Sequence, residues 1–166
     1  MENAMPTDGQ HLRDATADDV KALTVLRRDF MQTQLNAGLL DIPLDIDASL
    51  AKTTPVIVKG GRSQCVLIDT DGRLDGYIYF ALRASPGMTQ PLVGVIEELY
   101  VAPHAARRGH ATRLVDHARD RLTALDAARI QTRVLAGNAA ARSFWQRAGF
   151  DDNVHLMEFA AKAPAA

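Results

Sequence analysis

The chain has 166 residues, enough for one domain that buries a core without help from disulfides or metals. Its 47% hydrophobic and 23% charged content is ordinary for a soluble globular protein. A formal net charge of −1 gives no bulk field to hold nucleic acid or an anionic membrane, which leaves only a local basic patch for such partners.

The leader MENAMPTDGQ is polar and acidic and lacks a basic, apolar signal region. HLRDATADDV reads as a short strand running into a helix start, with Thr16 and Asp19 at capping-box spacing. Val20, Leu23, Arg27, Phe30 and Met31 recur at helical spacing until Asn36-Ala37-Gly38 stops the helix. A short helix is expected over 47–53, broken before Pro55 because proline lacks the backbone N–H. SQCVLID and LDGYIYFALR then read as strands around an Asp71-Gly72 hairpin turn. SPGMTQP is a flexible loop and LVGVIEELYV the next strand. From Gly109 onward, Ala111, Leu114, Val115, Ala118, Leu122 and Leu125 share one helical face. ARIQTRVL is a strand, a helix runs from Asn138 to a stop at Gly149, and VHLMEFA closes as a strand.

This order predicts a single α/β domain over 1–166 with a mixed sheet and flexible ends at 1–9 and 161–166. No run approaches about 18 apolar residues, so a soluble, cytoplasmic protein without a membrane partner is expected. Cys65 is the single cysteine, which excludes an internal disulfide and a cysteine-cluster metal site; it reads as a small buried hydrophobe. No histidine and carboxylate spacing resembles a metal motif, and no metal is expected.

Arg107, Arg108 and Gly109 sit where a strand hands over to a helix. The first turn of a helix leaves backbone N–H groups without partners, and its dipole favours negative charge. Glycine lets an anion approach that backbone, and arginine adds paired donors for phosphate oxygens. The alternative is a plain helix start with solvated arginines. The Walker loop does not fit, since no Gly-Lys-Ser/Thr ending follows, and one glycine does not make a dinucleotide fingerprint.

GNAAARSFWQRAGF, with Asn138, Ala141, Phe144-Trp145 and Gly149-Phe150, resembles the GNAT superfamily of acyl-CoA-dependent N-acetyltransferases. Upstream, Gly109 and Ala111 match the fourth and sixth positions of that family's coenzyme-binding signature, and the resemblance covers roughly residues 66–160. It implies the GNAT fold, a mixed central sheet whose parallel strands splay apart between flanking helices. It implies acetyl-CoA as co-substrate, a primary amine as acceptor and direct attack without a covalent acyl-enzyme. The coenzyme contacts it implies come from Leu99, Tyr100, Val101, Arg107, Arg108, Gly109, His110, Ala111, Thr112, Asn138 and Trp145. Strand pairing, helix capping by Asn138 and core packing by Trp145 are the plainer roles for several of them.

Glu97 and Glu98 are the candidates for the base that deprotonates the amine, the resemblance pointing to Glu97. Strand alternation sets Glu97 on the face of Val95, Leu99 and Val101, with Glu98 on the other. Two departures stand out. Ala106 replaces the signature's usual glutamine or arginine, and Arg107 a frequent glycine. Trp145 stands where the family commonly has an acid-donating tyrosine, and an indole cannot serve as that acid. Tyr77, Tyr79 and Tyr100 are the alternatives, as is water. These departures keep a second reading open, a non-catalytic CoA-binding or regulatory protein. Of the histidines at 104, 110 and 117, only His110 is placed to touch phosphate. The acceptor is a small amine or polyamine, an aminoglycoside-like compound, or a peptide or protein amine; the acidic segment NAGLLDIPLDID hints at a cationic one. A homodimer is expected from the resemblance alone.

Overall fold

The computed structural model describes residues 9–40, 45–87, 89, 91–154 and 156–157. Strand β1 (Gln10–Asp14) leads through a single 3-10 turn into helix α1 (Val20–Asn36), followed by α2 (Ile46–Ile57). Strands β2 (Ser63–Thr70), β3 (Arg73–Ala84) and β4 (Leu92–Val101) come next. Helix α3 (His110–Ala124), strand β5 (Arg129–Thr132) and helix α4 (Ala139–Arg147) complete the order. The expected sequence of elements holds to this point. Within the last expected strand, Val154, Leu156 and Met157 are exposed and lie outside any strand; His155 and residues 158–160 fall outside the described residues, as do 1–8 and the tail at 161–166.

The five strands form one sheet in the order β1-β2-β3-β4-β5. All neighbours are antiparallel except β4 and β5, which run parallel because α3 carries the chain back across the sheet. Two apolar clusters lie on its two faces. On one, Ile78, Phe80 and Ile96 pack against Leu114, Val115, Ala118 and Leu122 of α3 and Trp145 of α4. On the other, Cys65, Leu67 and Tyr77 pack against Leu23 and Leu26 of α1 and Ile57 of α2. The small residue at Gly94 lets α3 sit close, since a Cβ there would lie 2.7 Å from Leu122 Cδ1.

Local chemistry explains most boundaries. The Thr16 N–H and hydroxyl both donate to Asp19 Oδ2, at 2.8 and 3.0 Å, closing the turn before α1. Asp71 and Gly72 both take positive φ, as a tight two-residue hairpin turn requires. Helix α2 departs from expectation, for it runs through Pro55 to Ile57. Proline costs one backbone bond near the helix end. Leu50, Thr54 and Ile57 are buried there, so tertiary packing outweighs the local penalty. Strand β5 is also shorter than expected, covering Arg129–Thr132 alone.

Candidate active site

Strand β4 is irregular near its middle. Along the β3–β4 ladder Tyr79 faces Glu98, but Phe80 faces Ile96, so Glu97 is an extra residue without an opposite number. Such a bulge kinks the strand and re-aims its side chains. The parallel ladder to β5 covers only Val93–Ile96 against Arg129–Thr132. Beyond the bulge, Glu97–Val101 have no strand partner on the β5 side among the described residues. The splay thus leaves a slot in the sheet edged by the backbone of Leu99, Tyr100 and Val101.

The bulge overturns the expected alternation. Ile96 and Leu99 join the cluster under α3, and Tyr100 joins the opposite one, its ring tilted against Phe30 of α1 with centroids 5.8 Å apart. Glu97 does not share the face of Leu99 and Val101. Instead Glu97 and Glu98 line one cavity of about 460 Å³, together with Arg27, Tyr79, Arg83 and Arg133. A period of two cannot survive an inserted residue, and the sequence of β4 gave no sign of one.

The two carboxylates have different tasks. Glu98 accepts a forked pair of bonds from Arg27, at 2.6 and 2.9 Å, and a third from the Tyr77 hydroxyl at 2.8 Å. Arg27 lies buried in the α1 face and also donates to the Thr53 and Thr54 hydroxyls of α2 at 2.9 Å. Burial, reinforced by the Glu98 charge, pushes the Tyr77 phenol well above its ordinary range. Glu98 is therefore the anchor that ties α1 and α2 to β4. Glu97 accepts from Arg83 Nε at 3.1 Å and from the same guanidinium's Nη2, and from Arg133 Nη2 at 3.4 Å. Its side chain is 14% exposed, whereas those of Arg83 and Arg133 are 58% and 80% exposed. Its neighbours can swing aside into solvent.

Near the same end of the sheet, α3 begins. Its first backbone bond runs from Arg113 N–H to Gly109 O, so the amides of His110, Ala111 and Thr112 have no partner within the helix. Gly109 caps the helix at φ 77°, and a Cβ built on it would meet nothing within 4 Å, so the approach is open. Arg107, at the position where glycine is frequent in the resembling family, takes a glycine-like φ of 62°. Arg107 and Arg108 are exposed and form no ion pair among the described residues. These features fit a pyrophosphate.

His110 differs from expectation. Its side chain is fully buried under the helix start, with Nε2 3.8 Å from Asp75 Oδ2 and neither ring nitrogen hydrogen-bonded among the described residues. Only its backbone N–H can meet an anion at the junction. Burial pushes the imidazole below its ordinary pKa, against the pull of Asp75 and with help from Arg113 and Arg108. Asp75 is itself the extra residue of a second bulge, in β3 opposite Ile68 and Asp69. Burial opposes its ionisation, but bonds from Thr70 and His104 and the charge of Arg73 outweigh that and hold its carboxyl below the usual range.

Asn138 caps α4, its Oδ1 accepting from Ala141 N–H at 3.0 Å. Trp145 is buried edge-on between Phe144 and Phe150, at 5.3 and 5.0 Å, and belongs to the core under α3. Cys65 is buried in β2, where desolvation pushes its thiol up to about 12. Arg27, Arg83 and Arg133 were not singled out as site residues from sequence. Arg27 alone left a signal, a charge within an apolar helical face. Among the described residues no three His, Cys, Asp or Glu side chains gather into a metal site, and no helix is long and apolar enough to cross a membrane.

Comparison with known proteins agrees with this geometry. The chain is 18% identical to an aminoglycoside acetyltransferase, AAC(6')-Iy, in complex with the bisubstrate analogue CoA-S-monomethyl-acetylneamine, with a TM-score of 0.72 over 93% of this chain and 99% of that one. It is 18% identical to aminoglycoside 6'-N-acetyltransferase AAC(6')-IG from Acinetobacter haemolyticus, with a TM-score of 0.74 over 92% and 99% of the two chains. A predicted acetyltransferase from Clostridium acetobutylicum, with acetyl-CoA, is also 18% identical, with a TM-score of 0.74 over 91% and 96%. At these identities the likeness is one of fold. No curated protein matches the chain significantly. The family model for the acetyltransferase (GNAT) family matches residues 31–150, most of the chain, and the chain belongs to that family.

Proposed function

We propose that this protein transfers the acetyl group of acetyl-CoA to a primary amine by direct attack. The observation that carries the reading is the parting of β4 from β5 beyond Ile96 and Thr132, next to the uncommitted amides of His110, Ala111 and Thr112. A strand edge without a partner can pair with an extended amide-bearing arm, and a helix start flanked by Arg107 and Arg108 can hold its diphosphate. The descriptions of two similar structures, one with a CoA bisubstrate analogue and one with acetyl-CoA, support the choice of coenzyme.

In this reading the backbone of Leu99, Tyr100 and Val101 orients the thioester, and an amide of Leu99 or Val101 donates to its carbonyl oxygen as negative charge develops there. Glu97 accepts the proton of the attacking amine, directly or through water. Glu98 is excluded from that task because Arg27 and Tyr77 occupy its oxygens. A carbon–nitrogen bond forms, the carbon–sulfur bond breaks, and the thiolate leaves with the electron pair. Trp145 cannot return a proton to it, and the Tyr77 hydroxyl is committed to Glu98, which leaves Tyr79 on the cavity wall, Tyr100 or water to supply that proton.

Trp145 also favours a second reading, a protein that binds the coenzyme without turning it over. Acetyl-CoA raises Tm under both. Thiol release with an amine panel occurs only under the first. Glu97→Gln lowers kcat at least tenfold, and unchanged turnover removes Glu97 from the chemistry. Gly109→Asp weakens coenzyme binding, and unchanged affinity moves the diphosphate elsewhere.

A further inference from the structure

The acceptor cavity has an unusual charge arrangement. Glu98 and Arg27 neutralise each other in the α1 face, leaving one carboxylate, Glu97, shared by two arginines. Arg83 arrives from β3 and Arg133 from just past the end of β5, so the two guanidinium groups reach Glu97 from opposite sides of the slot. Both arginines are mostly solvent-exposed, and the wall beside them is apolar, formed by Val56 and Ile57 of α2. An anionic and a cationic subsite therefore lie side by side within hydrogen-bond distance, with one positive charge in excess.

We infer that the acceptor is an amino-carboxylate, a free α-amino acid, whose carboxylate binds Arg83 and Arg133 while its amine meets Glu97. This inference rests on the transfer reading above and names its substrate class. A zwitterion with adjacent opposite charges reproduces the ion pair that it displaces, so each protein charge keeps a partner. A polycation satisfies Glu97 but strands both guanidinium groups beside its remaining charges. A carboxylate matches the fork of an arginine in a way that an amine cannot. The acidic segment at 36–47 hinted at a cationic acceptor, but four of its residues, 41–44, lie outside the described residues, and the cavity itself favours the opposite charge.

The test is steady-state thiol release by the full chain with acetyl-CoA and matched acceptors: leucine, leucinamide, isoamylamine and spermidine. Leucine is chosen for the apolar wall. Its kcat/KM is expected to exceed that of leucinamide at least about tenfold, the usual worth of a hydrogen bond to a charged group. Arg83→Gln/Arg133→Gln reduces that preference to within about threefold, mainly through KM, and Arg83→Lys retains part of it. Preference for leucinamide, isoamylamine or spermidine over leucine overturns the inference while leaving the transfer reading intact, as does a preference for leucine that survives the double substitution. Absence of thiol release with every amine refutes transfer instead. The cavity is then judged by binding: leucine added to the CoA-loaded protein raises Tm of the wild type and not of the double variant, and no rise in either overturns the inference.

Discussion

Replacing Arg27 by methionine isolates the anchor of the cavity that holds Glu97 and Glu98. The guanidinium is 4% exposed and Glu98 is 15% exposed, so their forked contact is almost dry. Breaking a buried pair from one side costs about 3–5 kcal/mol, because the remaining charge stays buried without a partner. Here the Tyr77 hydroxyl still donates to Glu98, and slight exposure admits some water, which places the cost near the lower end, about 3 kcal/mol. In a domain of this size each kcal/mol moves Tm by about 2–4 °C, so Arg27→Met is expected to lower Tm by roughly 6–12 °C. The companion variant Glu98→Met strands the buried cation in the same way. The double variant Arg27→Met/Glu98→Met removes both charges, and well-packed apolar replacements of a buried pair are often neutral. Chemical denaturation of all four proteins gives the cycle. Recovery by the double variant of at least half the summed loss is expected. The reasoning fails if Arg27→Met costs less than about 1 kcal/mol, or if the two losses simply add.

The other expectations concern single groups. Arg107 pays for a left-handed backbone at φ 62°, so Arg107→Gly should raise Tm slightly, by up to about 1 kcal/mol of stability, while CoA binding weakens two- to fivefold through the lost cation; calorimetry reads both, and a fall in Tm refutes the strain. Asp19 is held at about 2 chiefly by the Arg13 guanidinium, against burial and with help from Thr16. Its folded value lies below the ordinary one, so its contribution of about 2 kcal/mol is present above pH 4 and lost as pH falls toward 2. Asp19→Asn should therefore be less stable than wild type at pH 7 and converge with it only as pH falls to about 2 and below. His110 is buried with a lowered pKa, so the unfolded chain takes up its proton first and stability falls as pH drops below about 6.5. His110→Leu should flatten the Tm profile between pH 7.5 and 5.5; an unchanged slope assigns the acid sensitivity elsewhere.

How much of this molecule was legible beforehand follows from the range over which each physical signal acts. Asp71-Gly72, the Thr16 and Asp19 turn, the Asn138 cap and the Gly109 junction are local, set by a few neighbouring residues, and each stands where its chemistry puts it. Pro55 was misread because a backbone penalty of one helical bond is visible in sequence, while the burial of Leu50, Thr54 and Ile57 that overrides it is not. The cavity was misread for a related reason. Alternation assigns faces only while a ladder stays in register, and the extra residue at Glu97 is created by pairing with Tyr79 and Phe80, some 20 positions away in sequence. Once that residue bulges, Glu97 and Glu98 turn to one side, and the partners they find come from α1, β3 and the end of β5. Arg27 carried the one hint that sequence offered. A guanidinium on an apolar helical face requires a buried acid, and β4 carries these two. The bulge that brings both carboxylates into the cavity lies where the β4–β5 ladder ends, so on the proposed reading the slot for the coenzyme arm and the charge pattern facing the acceptor share one place in the fold. On the proposed reading, a change that restores regular pairing at Glu97 is expected to disturb both.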